Sequence, residues 1–168
     1  AKAILCISAH WETMGVAVTA SPKPPTIHDF YGFPQALFDV QYPAPGNPEL
    51  AKLILDLLNP ESVHLDNERG LDHGVWSVLQ PMYPAADIPV VQISVCPQQS
   101  PLFHWRLGRA LASLRHDNVL VMGSGFSTYV IDLKLRSESA DRIHQLSFND
   151  TMTGLPNRIA FNERLAFD

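Results

Sequence analysis

The stretch "AILCISAHWET" (residues 3–13) decides the fold. Its nearly continuous apolar run suits a β-strand covered on both faces, because a half-exposed strand would alternate apolar with polar. The pattern predicts one strand over 3–9 and another over 16–19, with His10 on the short loop between them. Two further runs have the same character, "IPVVQISV" (88–95) and "NVLVMGSG" (118–125), and "SVHLD" (62–66) is a shorter strand candidate. The strands over 3–9, 90–95 and 119–122 are expected to share one sheet.

Helices separate these runs. In "NPELAKLILDLL" (47–58), Asn47 suits an N-cap, Pro48 the first turn, and Leu50, Leu53, Ile54 and Leu57 one apolar face. "GVWSVLQPMY" (74–83) reads as a helix shortened or kinked by Pro81, and 100–115 as an amphipathic helix with Leu107, Leu111 and Leu114 inward. Strands alternating with helices give an α/β class, a sheet sandwiched between helices. In such sheets ligand sites gather just past the strand ends. "SPKPPTIHDFYGFPQ" (21–35), dense in Pro, Gly and aromatics, is a long ordered loop.

The 168-residue chain is 46% hydrophobic and 17% charged, a globular composition. The net charge is −5 and the twelve Lys and Arg are scattered, which argues against nucleic acid as a partner. No apolar run is long enough to span a bilayer, and no segment has a secretory layout. Cys6 and Cys96 each sit in an apolar strand run, as buried free thiols suited to a reducing cytoplasm.

Of seven histidines, His64, His104, His116 and His144 lie in amphipathic elements, where structural or solvated roles are the rule. His10 ends a strand beside Glu12, His28 lies in the aromatic loop, and His73 lies in "LDHG". No His pair has zinc-protease spacing and no CxxC occurs, and "GSGFS" is neither a nucleophile elbow nor a dinucleotide fingerprint. The residues alone point to a histidine-lined loop site, with metal binding as one reading of it and packing or solvated histidines as the other.

"ISAHWE" (7–12), "PPTIHDFYGFP" (24–34), "YPAPGNPELA" (42–51), "RGLDHGVWSVLQPMYPAADIPVVQIS" (69–94) and "LGRALASLR" (107–115) follow in an order and spacing that resemble the class III extradiol ring-cleavage dioxygenases, in their 4,5-DOPA dioxygenase-like branch. The resemblance covers about residues 1–128. It implies the fold of the extradiol dioxygenase B subunit and a catecholic substrate cleaved with dioxygen. It implies a non-haem Fe(II), with zinc in its place in some bacterial members. Residue by residue, it makes His10 a metal ligand, with Glu12 behind it as orienting partner. His73 becomes a catalytic pocket histidine contacting substrate or dioxygen, and His28 and Tyr31 become the shapers of the catechol pocket. His28 as a packing histidine of the loop is the competing assignment.

Two departures follow from the same comparison. The family's other metal ligands precede and follow the matched region, so the domain is expected to be truncated at both ends, with activity impaired and a sheet face left open to self-association. The family turn reads "GSG", two variable residues, then "THN"; here it is "GSGFSTYVI", so Tyr129 occupies the place of the acid–base histidine. The tail "RIHQLSFNDTMTGLPNRIAFNERL" (142–165) resembles the linker helix and opening of a diguanylate cyclase (GGDEF) domain. The expected organisation is a partial dioxygenase domain over 1–132 and a GGDEF-like fragment over 133–168. Helices are expected over 136–149 and 156–167. A second class of function, a non-catalytic sensory or interaction module attached to a cyclase, stays open at this point, as does a non-functional fusion remnant.

Overall fold

The computed structural model describes residues 1–125. The expectations for Tyr129 and for the tail helices lie outside the described residues. Five strands form one sheet: β1 (Ala3–Glu12), β2 (Val16–Thr19), β3 (Val63–Asp66), β4 (Val90–Val95) and β5 (Val119–Ser124). Their spatial order is β3-β2-β4-β1-β5. β1 runs parallel to both β4 and β5, β2 is parallel to β3, and β2 is antiparallel to β4. The three strands expected to share a sheet do so, with β1 between the other two.

Among the described residues four helices, α1 (Gln35–Phe38), α2 (Pro48–Leu57), α3 (His73–Met82) and α4 (Pro101–Leu111), connect the strands, with a 3₁₀ turn over Ala112–Asp117. Asn47 caps α2 by accepting from the Leu50 amide at 3.0 Å, and Ser100 caps α4 by accepting from that of Phe103 at 3.2 Å. The short α1 begins at Gln35, the last residue of the stretch expected to be loop, and runs on past it. It buries no residue, so it carries no apolar periodicity for a sequence pattern to show.

The two faces of the sheet are separate cores. Ala3 and Leu5 of β1 pack with Leu50, Ala51 and Ile54 of α2 and with Leu107 and Leu111 of α4. Ile4 and Cys6 point the other way, among Val75, Trp76 and Leu79 of α3 together with Tyr42 and Leu71. The period-two alternation of a strand thus explains why the 3–6 run is apolar throughout. Both cysteines are free and buried, and burial, reinforced by the nearby Asp72 carboxylate, pushes the Cys6 thiol up to about 12. Among the described residues no helix is long and apolar enough to cross a membrane.

Candidate active site

His10 lies within β1, not on a loop after it. Ile7 stands opposite Ile93 and Glu12 opposite Val95, so five steps along β1 answer two along β4. The extra residues form an irregular bulge that carries the strand on to Glu12 and re-aims the side chains within it. A bulge depends on the partner strand, and an apolar pattern does not reveal it. At its start, Ser8 points to the α3 face, where its hydroxyl donates to Asp72 Oδ1 at 2.9 Å and accepts from the His10 amide at 3.2 Å.

His73 is the first residue of α3, placed there by its N-cap, Asp72. The Asp72 side chain is fully buried and accepts from the Val75 amide (3.2 Å), Ser8 Oγ, Arg69 Nη2 (3.2 Å) and Gln92 Nε2. A buried carboxylate is tolerated only when paired and hydrogen-bonded in this way. One side chain therefore ties together the start of α3, the middle of β4 and the residue two before His10. The Arg69 guanidinium also lies 4.7 Å over the Trp11 ring, and its Nε is buried without a partner among the described residues.

Gly74 lets α3 approach β1. A Cβ there would fall 2.6 Å from His10 Cδ2 and 2.9 Å from Ser8 Oγ. Ser124, at the end of β5, hydrogen-bonds through its hydroxyl to the Gly74 carbonyl, closing the same corner from the other side. With that space free, the rings of His10 and His73 meet with centroids 4.0 Å apart at 43°.

The loop 21–34 supplies the third group. Asp29 Oδ1 accepts from the His73 amide at 3.0 Å and from His73 Nδ1 at 2.7 Å. Partial burial raises the Asp29 carboxyl, but these hydrogen bonds outweigh it and hold the group below its ordinary value. Phe30 stands edge-on to the His73 ring at 5.5 Å and packs on Phe38 (4.9 Å) and Trp76 (6.0 Å), forming an aromatic wall beside the histidines.

The other expected site residues sit further out. His28 donates through Nε2 to the Val40 carbonyl at 2.9 Å and packs among Phe30, Phe38 and Trp76, one ring removed from His73. Tyr31 is 91% exposed. Glu12 is exposed and makes no hydrogen bond to His10 among the described residues. Asp29, Asp72, Phe30 and Trp76 carry no pattern in the sequence that marks them as site residues. The adjacency of Asp29 to His28 in "HDFYGF" was the one available signal for it.

The donor chemistry fits a divalent transition metal. One ligand atom each from His10, Asp29 and His73 lies within 4.8 Å of the others. Two imidazoles and a carboxylate suit Fe(II) and zinc, whereas magnesium and calcium take oxygen donors.

Fold and site together define an α/β protein with a metal-competent histidine cluster at the strand ends, beside an aromatic wall. Residues 1–147 match the family described as the catalytic LigB subunit of aromatic ring-opening dioxygenase. Over 151 residues the chain is 47% identical to a 4,5-DOPA dioxygenase extradiol of Escherichia coli (strain K12), covering 89% of this chain and 56% of that protein. Over 131 residues it is 51% identical to a 4,5-DOPA dioxygenase extradiol of Beta vulgaris, covering 76% and 49%. The crystal structure of an uncharacterized Escherichia coli K12 protein superposes with a TM-score of 0.61 at 43% identity, covering 74% of this chain and 46% of the other. The chain belongs to the LigB family of aromatic ring-opening dioxygenases. It spans about half the length of these curated relatives.

Proposed function

We propose that this chain carries the metal- and substrate-facing part of an extradiol dioxygenase that opens a catecholic ring, of the DOPA type, in the cytoplasm. The observation that supports it most is the His10–His73 pair, 4.0 Å apart at the strand ends of a LigB-family sheet. His10 is the metal ligand, with Fe(II) as the working metal and zinc able to take its place. When bound, the metal supplies redox capacity and orients the catechol and dioxygen.

The chain's own residues do the rest. His73 contacts substrate or dioxygen, offering a ring nitrogen as hydrogen-bond partner in the pocket. Phe30 and Trp76 offer apolar surface to a flat ring. His28 anchors that wall through Val40, and Tyr31 stands at its rim, free to lie against a bound ring. Glu12 borders the metal side. Tyr129 takes the place of the acid–base imidazole that the family resemblance expects there. A phenol with an ordinary pKa of ~10 is a poor proton carrier at neutral pH, so a rate lower by ~10²–10⁴-fold than that of a histidine-bearing relative is expected.

The test is anaerobic loading of the chain with Fe(II), then DOPA or another catechol with oxygen, following the yellow ring-opened product. Slow product formation that disappears in His73→Ala supports the assignment. Turnover as fast as an intact relative's and indifferent to His73→Ala would refute it.

A further inference from the structure

We propose that Asp29 is the positioning residue of His73, holding its imidazole as the Nδ1–H tautomer so that Nε2 is the unprotonated nitrogen. This deepens the dioxygenase proposal and rests on its assignment of His73 as the pocket histidine that contacts substrate or dioxygen.

The geometry is specific. A single oxygen, Asp29 Oδ1, receives both donors of one residue, the His73 amide at 3.0 Å and Nδ1 at 2.7 Å. A carboxylate only accepts, so Nδ1 carries the hydrogen. The amide is one of the donors that a helix leaves unsatisfied in its first turn. It fixes the oxygen relative to the helix, and the oxygen then fixes the ring. His10 at 4.0 Å and Phe30 edge-on at 5.5 Å flank the ring and oppose its turning over. Nδ1 and Nε2 lie on opposite sides of an imidazole, so a proton committed to the Asp29 side leaves the lone pair on the other. A carboxylate that fixes tautomer and orientation in this way does the work of the aspartate in a catalytic triad.

A plain clasp between loop and helix would explain the same contact, but the loop is held without it. Trp76 Nε1 donates to the Ile27 carbonyl at 2.9 Å, the Ile27 amide to the Leu71 carbonyl at 2.9 Å, and His28 Nε2 to the Val40 carbonyl at 2.9 Å. The bond from the His73 amide to Asp29 adds to that hold, whereas the bond from Nδ1 does not reach the backbone. Its distinct effect falls on the imidazole.

The experiment is ¹⁵N NMR of the histidine side chains in the full 168-residue chain, free of metal and substrate, above the ordinary imidazole pKa of ~6.5. His73 is assigned by the resonances lost in His73→Asn. In the wild-type chain Nδ1 should show the proton-bearing shift and Nε2 the lone-pair shift. In Asp29→Ala the two should exchange, because an unpartnered imidazole favours Nε2–H. A wild-type His73 in the Nε2–H form overturns the proposal and needs no variant that must fold. So does an unchanged pattern in Asp29→Ala. Loss of Co(II) uptake in Asp29→Ala with His73 unchanged would make Asp29 a ligand, and also overturns it. Because metal and substrate are absent from the NMR, the outcome is independent of the dioxygenase assignment. That assignment fails separately, if the Fe(II)-loaded wild-type chain forms no ring-opened product.

Discussion

At the scale of single residues, the site depends on how closely α3 can approach β1. Gly74 is the residue that allows it, since a methyl group there would press on His10 Cδ2 and Ser8 Oγ at once. Gly74→Ala is therefore expected to displace the His10 ring and weaken Co(II) uptake at least ~10-fold, equivalent to about 1.4 kcal/mol. Helical content should be kept, because alanine suits a helix better than glycine. Uptake equal to the wild type's, measured by titration of the Co(II) absorption bands, would show that the close approach is not needed. His10 and His73 were legible in the sequence because each breaks an apolar or turn pattern with an imidazole. Asp29 was not legible as the partner of His73, because the pair is separated by 44 positions and no local periodicity connects them.

At the scale of elements, the strands were legible and their ends were not. Burial on both faces writes itself into the sequence as an unbroken apolar run, whereas the extension of β1 through His10 to Glu12 depends on its register with β4. The turn after β3 is built from a polar residue with a local job. Asp66 Oδ1 accepts from the amides of Glu68 (2.9 Å) and Arg69 (2.8 Å). Slight desolvation raises its carboxyl, but these amides, with the nearby His64 and Arg69 charges, hold it below its ordinary value. A carboxylate whose folded pKa is lowered contributes stability that is present above the unfolded value, ~3.9, and is lost as pH falls through the folded value. Asp66→Asn should therefore be less stable than the wild type near neutral pH. The difference should shrink once the pH falls below ~4, and denaturant melts across that range read it directly. A gap that stays constant into strong acid would show that the charge on Asp66 is not what holds the turn.

At the scale of the whole molecule, two cores on opposite faces of one sheet hold the site, and the site draws on only one of them. α3, whose Gly74 lies against the ligand His10, is seated by Val75, Trp76 and Leu79. Leu79→Ala should cost ~2–5 kcal/mol, as buried leucine truncations do, and weaken metal uptake as well. Ile54→Ala, on the far face under α2, should cost a similar amount and leave uptake in the folded fraction unchanged. Calorimetry and metal titration of both variants separate these outcomes, and equal effects on uptake would contradict the division. The α/β sandwich was legible because alternating strand and helix patterns admit few other layouts. The organisation beyond it stands as a proposal, a dioxygenase unit over 1–132 and a GGDEF-like segment over 133–168, with the family match running past that boundary to residue 147. The account rests most heavily on His10 as the residue that holds the metal. The most direct measurement is equilibrium titration of the metal-free chain with Fe(II) under anaerobic conditions, comparing wild type, His10→Ala and His28→Ala. The account predicts weak binding of one Fe(II) per wild-type chain, retained by His28→Ala and lost by His10→Ala; undiminished binding by His10→Ala would contradict it.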